Sequence, residues 1–254
     1  MSTGLRQIKV PLMNTSARAK LRTAALIVLL AAAKVGLGAE PLKTEAVATA
    51  PFEKEILAFE TADRTKPPTA GAILLVGDSQ FTRWKSVHQD LPEYQIINRG
   101  FGGSRMTDLL HFMDRVVLRY RPRLIVVNEG GNDIHSGRTP EQLIADITNF
   151  VERVRIALPE VPIVFSGLTP SPARWSENQT RLRFNQMLRT HLTGGKKLIY
   201  LNLFDAYLGA DGKPDEKLFV EDKLHHSAAG YAVRMRIMRP ILGPPDFPAT
   251  KISR

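Results

Sequence analysis

The stretch ILLVGDSQFTRW, residues 73–84, runs four apolar residues into Gly77, Asp78 and Ser79 and then turns polar. A branched apolar run closed by glycine reads as a buried strand, and a serine just past its end either caps the next helix or stands exposed at the rim of a sheet. Four further runs share the character of the first, 72–76: they are 94–98, 124–128, 163–167 and 198–203. The intervening stretches are long enough for helices. Residues 140–158 place Leu143, Ile144, Ile147, Phe150, Val151 and Val154 on one apolar face, and a last helical stretch covers 228–241. Strands alternating with helices predict right-handed crossovers and a parallel five-stranded sheet covered on both faces, a three-layer α/β/α sandwich.

In such a sheet ligands bind at the carboxyl ends of the strands. Four polar stretches lie there: GDS (77–79), NRGFGGS (98–104), EGGND (129–133) and DKLHH (222–226). Their residue types suit acyl transfer. A serine hydroxyl needs a positioned base to become a nucleophile, and the base needs an orienting group on its other ring nitrogen. Asp222 and His225, three residues apart, can supply both for Ser79. The Ser79 amide, a glycine amide from GFGGS, with Gly103 the better placed, and the Asn132 side chain provide donors for an oxyanion. Asp78 and Asp133 are candidates for supporting the serine loop and Asn132, or simply for making turns. The α/β-hydrolase elbow G-x-S-x-G is absent, because residue 81 is Phe.

These four blocks, in this order, resemble those of the GDSL, or SGNH, hydrolase family over roughly residues 71–242. The resemblance implies a flavodoxin-like SGNH fold, Ser79 as nucleophile, Gly103 and Asn132 as oxyanion donors, and Asp222 and His225 as the other members of a Ser-His-Asp triad. FEKEILAFETADR, INRGFGG and PSPARW are similar to the bacterial branch related to platelet-activating-factor acetylhydrolases and lysophospholipases, which implies small acyl, acetyl-type esters of sugars, lipids or similar alcohols. Two positions depart from the family pattern. Gln80 follows the serine where a small or apolar residue is usual, and His226 follows the base where leucine is common.

Arg174 and Trp175, in the loop TPSPARW after the fourth run, are candidate substrate contacts, the alternative being a rigid loop with a packed aromatic; His226 is a further candidate, which either faces the cleft or packs beneath the base. Glu221, Asp222, His225 and His226 could instead be read as a metal cluster serving a phosphoesterase, but no third well-spaced ligand is evident, and His88, His111, His135 and His191 have no ligand spacing. The expectation is therefore no metal and no cofactor. A non-catalytic carbohydrate-binding or scaffold module on the same fold is the other alternative.

The chain of 254 residues suits one sizeable domain, and with no cysteine it has neither disulfides nor a thiolate nucleophile. The formal charge of +10 is concentrated at the start. Residues 1–39 hold Arg6, Lys9, Arg18, Lys20, Arg22 and Lys34 and no acid; taking these six from the 35 basic residues leaves 29 against 25 acidic, a net of about +4. No nucleic-acid partner is expected. A basic stretch, an apolar run over 23–33 and small residues to 39 read as an export signal, cleaved after Gly38 or Ala39, with an uncleaved anchor as the alternative and membrane contact confined to that segment. The apolar run is shorter than the roughly 20 residues that span a bilayer. The expected organisation is a leader or anchor over 1–39, a linker and accessory helix over 40–70, the hydrolase domain over 71–243 and a tail over 244–254.

Overall fold

A computed structural model of the chain describes residues 51–244, so the leader, the linker before residue 51 and the tail after 244 lie outside the described residues. Among the described residues no helix is long and apolar enough to cross a membrane. Five parallel strands form one sheet: β1 Ile73–Gly77, β2 Ile96–Gly100, β3 Leu124–Asn128, β4 Ile163–Ser166 and β5 Leu198–Leu201, in the order β2-β1-β3-β4-β5. All residues of β1, β3 and β4 are buried, as a sheet covered on both faces demands. The expected three-layer architecture is therefore present.

One face carries α1 Glu53–Thr65, α4 Met106–Val116, α6 Pro140–Ala157 and α7 Asn178–Leu192, which supply Ile56, Phe112, Phe150 and Phe184 to a core built on Leu74, Val76, Ile125 and Val127. The other face is covered by two short helices, α2 Ser79–Thr82 and α3 Val87–Asp90, and by α8 Ala228–Met238; Trp84, Tyr207 and Met238 pack there on Ile73, Leu75 and Val126. A further short helix, α5 Gly131–His135, follows β3. α6 starts on a capping box in which Thr139 and Gln142 satisfy each other's backbone amides.

Boundaries differ from the sequence expectation by small amounts. β2 begins at Ile96 rather than 94, because the Tyr94 amide closes a turn onto the Leu91 carbonyl, and it continues through Arg99 and Gly100. α8 ends at Met238, where Pro240 cannot continue the α-helical ladder and a 3-10 turn takes over.

The accessory helix α1 does more than cover the sheet. Its Glu53 and Glu60 grip Arg115 of α4, and its Asp63 holds Arg99 at the end of β2 while accepting from Tyr120 Oη at 2.6 Å. Phe52, just before it, meets Phe101 edge-on at 5.4 Å. The chain leaving β2 is thus fixed from outside.

The order 2-1-3-4-5 reverses at β1 and β3, so the loops that leave these two neighbours diverge and open a crevice at their carboxyl ends. Gly77 and Asn128 face each other across that pair. A Cβ on Gly77 would lie 2.1 Å from the Asn128 carbonyl oxygen, and its φ is +141°, so only glycine permits the approach.

Candidate active site

Asp78 rather than Ser79 caps the short helix after β1: its carboxylate accepts from the Gln80 amide at 2.9 Å and from Asn128 Nδ2 at 3.0 Å. This leaves the serine hydroxyl free of capping. Ser79 Oγ lies 2.8 Å from His225 Nε2, although 146 positions separate them in sequence. On the other side of the ring, His225 Nδ1 is 2.7 Å from Asp222 Oδ2, while Asp222 Oδ1 accepts from the amides of Leu224 and His225 at 3.0 and 2.9 Å. Desolvation pushes the Asp222 carboxyl up, but the His225 amide, the His225 ring and the Leu224 amide outweigh it and bring the group down to about 2. Asp222 is ionised wherever a neutral imidazole exists. Arg83 meets the same Oδ2 from the solvent side at 3.3 Å.

The segment bearing Asp222 and His225 contains no helix or strand. It is held by the Phe219–His226 bridge, by Lys223 in the left-handed region at φ 54°, and by the Ala173 amide donating to the Lys223 carbonyl at 3.0 Å.

The donors expected from the glycine and asparagine blocks are near the serine. The loop over 101–105 turns through Gly103 at φ +88°, and a Cβ on neighbouring Gly102 would sit 3.9 Å from Ser79 Cβ. Among the described residues neither the Ser79 nor the Gly103 amide has a backbone acceptor. Asn132 donates one amide proton to the Ser104 carbonyl at 2.9 Å, and its Oδ1 accepts from Arg174 Nη1 and Nη2 at 3.3 and 3.2 Å. With its oxygen and one hydrogen engaged, its orientation is set and one N–H remains for a ligand.

Arg174 is thus turned toward Asn132 and the Gly131 carbonyl, 3.0 Å away, and lines the cavity beside Ser79. Burial and the neighbouring Arg181 pull its pKa down. Trp175 is half-buried on the 3-10 turn Pro172–Glu177 and does not line that cavity. His226 turns away from the crevice. Only 3% exposed, it stacks on Tyr207 at 4.5 Å and lies against Phe219 and Tyr231, with Thr169 Oγ1 at 3.4 Å from Nε2 and Tyr207 Oη at 3.3 Å from Nδ1. A substrate contact by His226 is therefore not what this geometry offers. Burial, with Arg234 and His225 adding to it, holds its ring well below the usual imidazole range, so it is neutral. It also shares no ligand geometry with its neighbours: among the described residues no three His, Asp or Glu side chains converge as a metal-binding group.

Three carboxyls lie buried beneath these loops. Desolvation raises Asp78; desolvation together with Asp78 and Asp133 raises Glu129 well above the usual range; and desolvation pushes Asp133 up to about 6, despite the Met106 amide and Arg138. Glu129 accepts from Ser104 Oγ at 2.5 Å and Asp133 from the Met106 amide at 3.1 Å, so both brace the loop carrying Gly103. Asn128 links Asp78 to buried Arg234 of α8 at 2.9 Å. Sequence reasoning gave no role to Asn128, Glu129 or Arg234; α8 carries both Arg234 and Arg236, and nothing local tells the buried arginine from the exposed one.

The comparisons with known proteins bear on the family and the fold. Residues 69–233 match the model of the GDSL-like Lipase/Acylhydrolase family. A search of the curated proteins finds no significant match. Among solved structures, a Streptococcus pneumonia protein provisionally called a platelet activating factor aligns at 20% identity over 75% of this chain and 92% of its own, with a TM-score of 0.68. A GDSL-like lipase from Bacteroides thetaiotaomicron aligns at 14% identity, covering 74% and 96%, with a TM-score of 0.60. A carbohydrate esterase family 3 protein from Talaromyces cellulolyticus aligns at 16%, covering 67% and 95%, at 0.53. At such identities the likeness is one of fold. The family match spans well over half of the sequence and contains the crevice at the carboxyl ends of β1 and β3, and on that ground the chain belongs to the GDSL-like lipase/acylhydrolase family and is a hydrolase.

Proposed function

We propose that the protein is a metal-independent serine esterase that hydrolyses small acyl esters. The observation that carries this reading is the continuous hydrogen-bonded line from Ser79 Oγ through His225 to Asp222, at 2.8 and 2.7 Å. Ser79 Oγ attacks the ester carbonyl carbon as its proton passes to His225 Nε2, and ionised Asp222 stabilises the imidazolium that forms. The carbonyl oxygen becomes an oxyanion held by the amides of Ser79 and Gly103 and by the free N–H of Asn132. Collapse of this intermediate breaks the bond to the alkoxy oxygen, which leaves as the alcohol with the proton from His225. Water then gives a proton to His225 and attacks the acyl-serine; its collapse releases the acid and restores the serine hydroxyl. One ester and one water become one alcohol and one acid.

The test is hydrolysis of p-nitrophenyl acetate by the full chain, with and without a chelator. Turnover unaffected by the chelator is expected, and turnover abolished by it would contradict the reading. Ser79→Ala and His225→Ala should each lose roughly 10⁴-fold or more in kcat, with the double variant little worse than either. Multiplying losses would show two independent groups instead of one unit.

A further inference from the structure

Ser79 and His225 stand on separate segments, and one helix reaches both. α8 begins at Ala228, just after the segment that carries His225, and Ser227 caps it by accepting from the Gly230 amide at 3.3 Å. Tyr231 and Arg234, one helical turn apart on α8, both face the turn that bears Ser79. Tyr231 Oη donates to the Gln80 carbonyl at 2.9 Å. Arg234, 1% exposed, donates from Nη2 to Asn128 Oδ1 at 2.9 Å, and its guanidinium carbon lies 5.4 Å from the centre of the Phe81 ring. Gln80 and Phe81 are the two residues that follow the serine.

Asn128 carries the grip of Arg234 onward. An arginine has only donors, so the Asn128 oxygen must face it and the Asn128 amide nitrogen must face Asp78, to whose Oδ1 it donates at 3.0 Å. The same Oδ1 accepts from the Gln80 amide at 2.9 Å. Gln80 is therefore held at its amide and at its carbonyl by two residues of one helix. Charge binds the same groups. Burial raises the Asp78 carboxyl, and the Gln80 amide and then Arg234 oppose it. Nε and Nη1 of Arg234 have no acceptor among the described residues. A buried cation and a buried carboxyl bridged by one carboxamide balance each other, and removing either leaves its partner uncompensated.

We propose that α8 sets the alignment of Ser79 with His225, with Arg234, acting through Asn128 and Asp78, and Tyr231, acting on the Gln80 carbonyl, as positioning residues. The proposal rests on the serine esterase reading of the site. Neither residue lines the cavity beside Ser79, so their effect falls on kcat, where the alignment of hydroxyl and imidazole counts, and not on KM.

The test uses the full chain and p-nitrophenyl acetate. Active sites are counted by stoichiometric release of p-nitrophenol from diethyl p-nitrophenyl phosphate, so that unfolded protein does not enter kcat. Arg234→Met is expected to lower kcat per active site about 10-fold with KM changed less than about 2-fold. Tyr231→Phe, which removes one hydroxyl and keeps the ring, should lower it about 3-fold. Adding Asp78→Asn to Arg234→Met should recover at least ~3-fold of the loss, because the carboxamide still accepts from Gln80 and no carboxyl is left uncompensated. An unchanged kcat per active site in either single variant, even with a lowered urea midpoint, marks a purely structural role and overturns the proposal. A change confined to KM, or a double variant no faster than Arg234→Met, overturns it as well. If Arg234→Met yields no titratable sites, Tyr231→Phe decides alone. Ser79-dependent hydrolysis that these variants leave untouched removes this inference only; absence of any Ser79-dependent hydrolysis removes the esterase reading with it.

Discussion

Asn132 has its carboxamide oxygen held by both terminal nitrogens of Arg174 and one hydrogen held by Ser104. A charged donor on the oxygen polarises the amide and strengthens the remaining N–H as a donor. On the proposed mechanism Asn132→Ala should therefore lower kcat by roughly 10² to 10³-fold, the ordinary loss for one oxyanion donor. Arg174→Met should lower kcat by about 10-fold with KM for a neutral ester little changed, and should add almost nothing in an Asn132→Ala background, because the arginine acts through the asparagine. Full additivity in that cycle, measured on p-nitrophenyl acetate, would detach Arg174 from Asn132. The positions of Ser79, Asn132, Asp222 and His225 were legible in the sequence because each is tied to a short, ordered pattern just past an apolar run. The target of Arg174 was not, since a loop residue's direction depends on the loop's path, and nothing local in PSPARW tells a guanidinium that reaches a substrate from one that reaches a neighbouring amide.

Among the elements, the turn from β1 into α2 is the most constrained. Gly77→Ala would force a methyl into the Asn128 backbone at a φ of +141° and is expected to destabilise the protein by about 3 kcal/mol, seen as a lower urea midpoint at unchanged slope. An unshifted midpoint would mean that β1 and β3 can separate there at little cost. The strands and α6 were readable from periodicity, because burial on two faces or on one stripe writes itself into residue type. The short helices α2, α3 and α5 were not. At four or five residues they span barely one turn, too little for a period, and their starts are set by tertiary contacts such as the Asp78–Asn128 bond. For His226 the choice between facing the cleft and packing inward was equally undecided, since adjacent residues on an irregular segment have no prescribed faces.

For the whole molecule, the buried carboxyls set the response to pH. The native state keeps the Asp133 proton up to about 6, while the unfolded chain releases it near the ordinary value of 3.8. Stability from this group is complete below about 4 and is lost as pH rises through 6, by an amount on the order of 3 kcal/mol. Asp133→Asn, which resembles the protonated acid, should be close to the wild type in stability at pH 4.5 and more stable than it at pH 7.5. Urea unfolding at the two pH values measures the gap, and a gap that stays constant or shrinks contradicts the assignment. Raised Glu129 acts in the same direction.

Ser79 and His225 are anchored very differently. Ser79 follows a strand buried between two neighbours, whereas His225 rides on an irregular segment secured by one isolated bridge, by single bonds such as Ala173 to Lys223 and Gln80 to Leu224, and by the aromatic box around His226. Segments with so few ladder bonds open at lower free energy than the core. Warming should accordingly disconnect imidazole from hydroxyl while the sheet is still intact, so that turnover fades, and returns on cooling, several degrees below the temperature at which the fold itself is lost.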